Sequence, residues 1–208
     1  VLDQAARRIT GPALDRAART IAATGVRPTT LTAIGWLAGV GACVSVATGA
    51  WTLGLVLWLL NRLFDGLDGA VARQVGPTDL GGFLDIVADF SIYSGFVLAI
   101  AIQVPEARLA CVALLVAYYL SGTAFLALSS ILERRRADQH QDGRSLRFVG
   151  GLAEGTETVI AYTLFTIFPE HAELIAWAFA GAVTITVLQR VAEGVLTLAS
   201  DRVLASRP

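Results

Sequence analysis

The sequence predicts an all-α integral membrane protein, with six transmembrane helices behind an N-terminal amphipathic interfacial helix and both termini cytoplasmic. Three observations predict it. First, 55% of the 208 residues are hydrophobic and only 16% are charged, whereas a soluble domain carries about 25% charged residues. Second, six apolar runs are long enough, or nearly so, to cross a bilayer, which takes about 20 residues. Third, the arginines fall almost entirely on one side of the membrane that those runs define.

The runs are 31–49, 51–64, 80–104, 107–132, 148–168 and 172–199. The second is short but continues into a polar, aspartate-rich stretch. Turn and breaker signals separate them: "ATGAW" at 47–51, "VGPTD" at 75–79, "QVPEA" at 103–107 and "FPEHAE" at 168–173. The long polar break is 133–147. With six spans, one side holds Arg7, Arg8, Arg16, Arg19, Arg27, Arg73, Arg134, Arg135, Arg136, Arg144, Arg147, Arg202 and Arg207, and the other holds Arg108. The positive-inside rule puts the first side in the cytoplasm. The expectation is a multi-pass protein of the inner (plasma) membrane.

Residues 2–24 put Leu2, Ala5, Ile9, Leu14, Ala17 and Ile21 at near-helical spacing, with Pro12 expected to kink or divide the segment. It reads as an interfacial helix lying on anionic lipid, or as a soluble helix docked on the bundle. Two parts follow, an N-terminal helix and tail at 1–27 and a membrane catalytic domain at 28–208. No cleavable signal peptide is expected, because a long Arg-containing segment precedes the first apolar run. Cys43 and Cys111 lie inside apolar runs and read as packing residues rather than a disulfide. Pairs of glycines, Gly35 with Gly39 and Gly151 with Gly155, mark close helix approaches that would also permit a homodimer. A net charge of −1 argues against a nucleic-acid partner.

Charge in an apolar chain is where function concentrates. Asp65 and Asp68 are spaced i, i+3; Asp85 and Asp89 are spaced i, i+4. Each pair shares one face of its helix. The two helices are joined by a short turn, so the four carboxylates can converge just inside the cytoplasmic edge. Four bare carboxylates would repel one another and lose hydration. Divalent cations remove both costs, and hard oxygen donors without His or Cys favour Mg²⁺, Mn²⁺ or Ca²⁺ over zinc. Gly66, Gly69, Ala70, Ala72, Gly81 and Gly82 leave the pocket wall bare, and Arg73 brings a positive charge beside it. Acids, metals, bare backbone and an arginine describe a diphosphate site, here at the edge of the lipid. Asp79 reads as the N-cap of the third span.

The run Asp65-x-x-Asp68-Gly69-x-x-Ala72-Arg73, followed after eight residues by Gly82, Asp85 and Asp89, resembles the signature of the CDP-alcohol phosphatidyltransferase family. "RPTTLTAIG" at 27–35 is similar to the family's lead-in to its first span, with Thr29 where Asn is usual. "GGLAEGTET" at 150–158 resembles a stretch in one bacterial branch. The resemblance implies transfer of a phosphatidyl group from CDP-diacylglycerol to a small alcohol, with release of CMP. It implies that Asp65, Asp68 and Asp85 ligate a pair of divalent ions, Mg²⁺ or Mn²⁺. Asp89 would complete the second metal site and act as general base. Asp68, Gly69, Ala72, Arg73 and Gly82 would hold the nucleotide and diphosphate. It also implies a homodimer among membrane lipids. The spacing independently favours Asp89 as base, since it is the deepest of the four carboxylates.

The acceptor is read from weaker signals. Glu154 and Glu157, with Thr156 and Thr158, open the fifth span on the aspartate side. They read as an acceptor pocket, as further metal ligands, or as acids complementing a helix dipole. Arg134, Arg144 and Arg147 read as orientation charges or as phosphate ligands, and Arg190 lies inside an apolar run. Together they lean toward a polyol phosphate, such as glycerol 3-phosphate or inositol phosphate, over serine or free inositol. His140 and His171 carry no ligand spacing and read as solvated. A transporter or lipid-binding scaffold is the other class; neither an inverted repeat nor a polar pore stripe supports it.

Overall fold

The computed structural model describes residues 2–139 and 155–205. Seven α-helices account for nearly all of them: α1 Leu2–Ala23, α2 Pro28–Ala47, α3 Trp51–Val75, α4 Asp79–Gln103, α5 Arg108–Gln139, α6 Gly155–Ile167 and α7 Ala172–Ala205. Short 3₁₀ turns at Pro105–Ala107 and Pro169–His171 lead into α5 and α7. Among the described residues there is no strand.

The expected breakers do end the helices. Gly49 (φ 78°) and Gly76 (φ 100°) take the positive φ that a side chain resists, directly after α2 and α3. Pro28 opens α2 at a position where its missing N–H costs nothing. Thr78, not Asp79, caps α4: its Oγ1 accepts from the Gly81 N–H at 3.1 Å, and Asp79 is the first helical residue. Thr78 holds the extended backbone a cap requires, so the shorter side chain one position earlier makes the bond. Pro12 does not divide α1, which runs unbroken through it.

Among the described residues, four stretches are long and apolar enough to cross a membrane: Pro28–Ala47, Asp79–Gln103, Pro105–Arg134 and Pro169–Ala199. The second half of α3 carries Arg62, Asp65, Asp68 and Arg73, and α6 is described over 13 residues. The distribution of side chains is that of a protein in hydrocarbon. Leu37, Leu98, Leu109, Leu174 and Leu188 face outward, while small residues and rings fill the interior. Trp58, Phe96, Tyr162 and Phe165 are fully buried, and Trp58 lies against Phe96 and Tyr162 with ring centroids 5.4 and 5.0 Å apart. Cys43 and Cys111 are free thiols, Cys111 in the core.

α2 lies against both α3 and α4, and α5 pairs with α7. The glycines of α2 make its contacts possible. A Cβ on Gly35 would stand 2.9 Å from Phe64 Cβ on α3, and one on Gly39 would stand 2.7 Å from Ile92 Cδ1 on α4. These glycines are therefore used within the chain and are not free to form a second-copy interface; Gly151 lies outside the described residues. α1 docks on α3 and α6. Its buried face is Leu14, Ala18, Ile21 and Ala22, packed with Leu31, Phe64, Leu67, Ala70 and Val71. Ala17 is exposed and Ala18 takes its place, because the surface that α1 meets covers the side of the stripe holding Ala18 and Ala22.

Candidate active site

The second half of α3 and the first half of α4 are joined by a three-residue connection at 76–78, and each packs mainly on α2 rather than on the other. α2 crosses behind both. One pocket forms where the three helices meet, lined by all four aspartates together with Thr32, Trp36 and Asn61.

Asp65, Asp68 and Asp85 each offer a carboxylate oxygen, and the three oxygens lie within 4.8 Å of one another. Asp68 is buried, and Asp65 and Asp85 are half-buried. Three hard oxygen donors from three side chains, drawn together against their own repulsion, fit a divalent cation of the Mg²⁺ or Mn²⁺ kind. Asp68 is oriented by Thr32 of α2, whose Oγ1 donates to Asp68 Oδ2 at 2.6 Å.

Asp89 lines the same pocket but faces a different partner. Its Oδ1 accepts from Arg62 Nη2 at 2.9 Å, and its Oδ2 accepts from the Tyr93 hydroxyl at 3.4 Å. Arg62 Nη1 also lies 3.5 Å from Asp65 Oδ2 and donates to the Tyr93 hydroxyl at 2.7 Å. Arg62 Nε donates to Asn61 Oδ1 at 2.8 Å, and Asn61 Nδ2 donates to the Gly35 carbonyl at 2.9 Å. The guanidinium sits over the rings of Trp58 and Tyr93, 4.8 and 5.0 Å from their centroids. Thr32, Asn61, Arg62 and Tyr93 were not legible as site residues from spacing alone. A usable signal existed for Arg62: of 16 arginines, only Arg62, Arg108 and Arg190 fall inside the apolar runs, and Arg108 stands at the very start of its run.

Other expected residues lie elsewhere. Arg73 is exposed and pairs across to Asp15 of α1 at 3.5 Å, so the positive charge within the pocket is that of Arg62. Gly66 faces α1, where a Cβ would meet Leu14 Cδ1 at 3.2 Å, rather than the pocket. A Cβ on Gly82 would meet nothing within 4 Å, and one on Gly69 only Arg73 Nη1 at 3.7 Å, so both leave open room. Gly81 is the tighter position, since its Cβ would stand 3.0 Å from Thr78 Oγ1. Ala72 is half-buried near the end of α3. Arg190 on α7 donates through Nη1 to the Ser121 carbonyl at 3.1 Å and to Ser121 Oγ at 2.8 Å, with Phe125 beneath it at 5.3 Å. Glu157 is half-buried in the first turn of α6, and Arg134 is exposed near the end of α5. Arg144, Arg147, Glu154 and His140 lie outside the described residues. His171 is exposed beside Glu170.

A helical membrane protein with a carboxylate pocket at the junction of two adjoining helices is the class that fold and site define. The family model for CDP-alcohol phosphatidyltransferase matches residues 26–188. The chain is also 39% identical over 195 residues to the inner membrane protein YnjF of Escherichia coli K12, covering 91% of this chain and 93% of that one. The chain belongs to the CDP-alcohol phosphatidyltransferase family, and is an enzyme of phospholipid synthesis that transfers from a CDP-alcohol. Its fold is similar to crystal structures of Mycobacterium tuberculosis phosphatidylinositol phosphate synthase (PgsA1). The form in complex with manganese and citrate has a TM-score of 0.70 at 23% identity, over 87% of this chain and 88% of that one. The apo form has a TM-score of 0.64 at 23% identity, over 88% of this chain and 95% of that one.

Proposed function

We propose that the protein transfers a phosphatidyl group from CDP-diacylglycerol to a small phosphorylated polyol, such as glycerol 3-phosphate or inositol phosphate, releasing CMP at the cytoplasmic face. The observation that carries this reading is the convergence of Asp65, Asp68 and Asp85 within 4.8 Å, in a family whose substrate is a CDP-alcohol. These three carboxylates would hold Mg²⁺ or Mn²⁺, which when bound polarises the diphosphate and steadies charge on the leaving CMP. The manganese in the PgsA1 crystal is consistent with that choice.

The chain's own residues do the rest. Thr32 fixes the rotamer of Asp68. Asp89 takes the proton from the acceptor hydroxyl as it attacks phosphorus, a role worth about 10²–10⁴ in rate for a placed base. Gly69, Ala72 and Gly82 leave room for the nucleotide along α3 and α4, and Arg73 adds charge at the outer rim. Arg134, Arg144, Arg147 and Arg190 are candidates for the acceptor's phosphate, with Glu154 and Glu157 for its hydroxyls. Six spans, with α3 and α6 crossing beside the four apolar stretches, would place both termini and the pocket in the cytoplasm of a cell whose inner membrane holds the protein. Residues 1–27 would lie along the lipid surface, and 28–208 would form the catalytic domain, with a second copy as partner.

The test is CMP release from CDP-diacylglycerol vesicles with Mg²⁺ or Mn²⁺, screened with glycerol 3-phosphate, inositol phosphate, inositol and serine. Release that requires a phosphorylated polyol supports the reading. Release driven by serine or free inositol instead overturns the acceptor assignment and leaves the chemistry in place.

A further inference from the structure

The family resemblance implies two divalent ions shared among four carboxylates, yet only three of the four converge here. Both oxygens of Asp89 are engaged by protein groups, Oδ1 by Arg62 and Oδ2 by Tyr93. Arg62 reaches both Asp65 and Asp89, the latter being the residue that the resemblance assigns to the second ion. We propose that the Arg62 guanidinium stands in place of the second cation, so that the substrate-free protein holds a single divalent ion on Asp65, Asp68 and Asp85. Asp89 is then a partner of Arg62 rather than a metal ligand. This deepens the metal-dependent reading above and rests on it.

Three features make Arg62 a fixture rather than a side chain that yields when metal arrives. It is walled by Trp58 and Tyr93, and its side chain is only 11% exposed. Its Nε is committed to Asn61, which is itself anchored on the Gly35 carbonyl of α2. Leaving Asp89 would break hydrogen bonds to Asn61 and Tyr93 and strand a charge among rings. A divalent ion bound by Asp65 and Asp89 at about 2.1–2.5 Å would lie against the guanidinium, and like charges at that range repel. Arginine remains charged under all working conditions, so the substitution is permanent. The functional consequence is that Asp89, 27% exposed and lining the pocket, stays available to the acceptor without competing for metal.

The test counts ions. Full-length protein in nanodiscs is titrated with Mn²⁺ and free ion is followed by electron paramagnetic resonance. The native chain is expected to bind one Mn²⁺, Asp89→Asn to bind one with affinity changed less than threefold, and Arg62→Met to bind two. Two ions on the native chain, falling to one in Asp89→Asn, would overturn the inference while leaving the metal-dependent reading standing. A native chain that binds no Mn²⁺ even with CDP-diacylglycerol present would overturn both. Should Arg62→Met fail to fold, the native and Asp89→Asn stoichiometries decide the matter between them.

Discussion

Thr32 and Asp89 separate two jobs that the cluster of acids combines. Thr32 holds Asp68 through one 2.6 Å bond. Losing such an orienting partner typically weakens metal affinity about 10–100-fold, so Thr32→Val should lower Mn²⁺ affinity by that range without altering the number of ions bound. Asp89→Asn should bind CDP-diacylglycerol as the native protein does, while CMP release falls about 10²–10⁴-fold; unchanged turnover would remove Asp89 as the base. The aspartates are legible in the sequence because ionised groups in an apolar run demand an explanation. Thr32 is not, since its contact with Asp68 spans 36 positions and exists only once α2 has docked. Arg62 is hidden differently: it sits three residues from Asp65, so its charge reads as part of the polar stretch rather than as a buried cation.

At the level of elements, helix ends are the most legible feature, because glycine and proline act locally. The face a helix buries is less so. Ala18 rather than Ala17 packs in α1, and Thr78 rather than Asp79 caps α4, each a shift of one position that only the partner surface decides. The α2–α3 contact offers a sharp test. A methyl on Gly35 meets the Phe64 Cβ, which cannot swing away without moving α3. Overpacking of this kind costs about 1–3 kcal/mol, at about 2–4 °C per kcal/mol for a chain of this size. Gly35→Ala should therefore lower the melting temperature in detergent by several degrees, and it should also disturb Asn61, whose amide rests on the Gly35 carbonyl. Gly181→Ala, with nothing within 4 Å of the added carbon, should leave the melting temperature unchanged or raise it.

For the molecule as a whole, composition and arginine placement suffice to predict a helical membrane protein. They do not reveal that α5 takes α7 as its main neighbour while α2 takes α3 and α4, because apolar helices in lipid carry little pattern to show which neighbours they choose. The positive-inside count makes a topological prediction. A fluorescent reporter at the C-terminus should be active in the cytoplasm, and a periplasmic phosphatase fused at the same point should be inactive. The reverse pattern would place the carboxylate pocket on the wrong side for a CDP-linked substrate.

The position of a metal ion is the most direct test of how these carboxylates work. Crystals grown with saturating Mn²⁺ and CDP-diacylglycerol should give an anomalous peak between the carboxylates of Asp65, Asp68 and Asp85, with the diphosphate resting on it and Asp89 still bonded to Arg62. A nucleotide clearly bound with no anomalous density among those three side chains would contradict it.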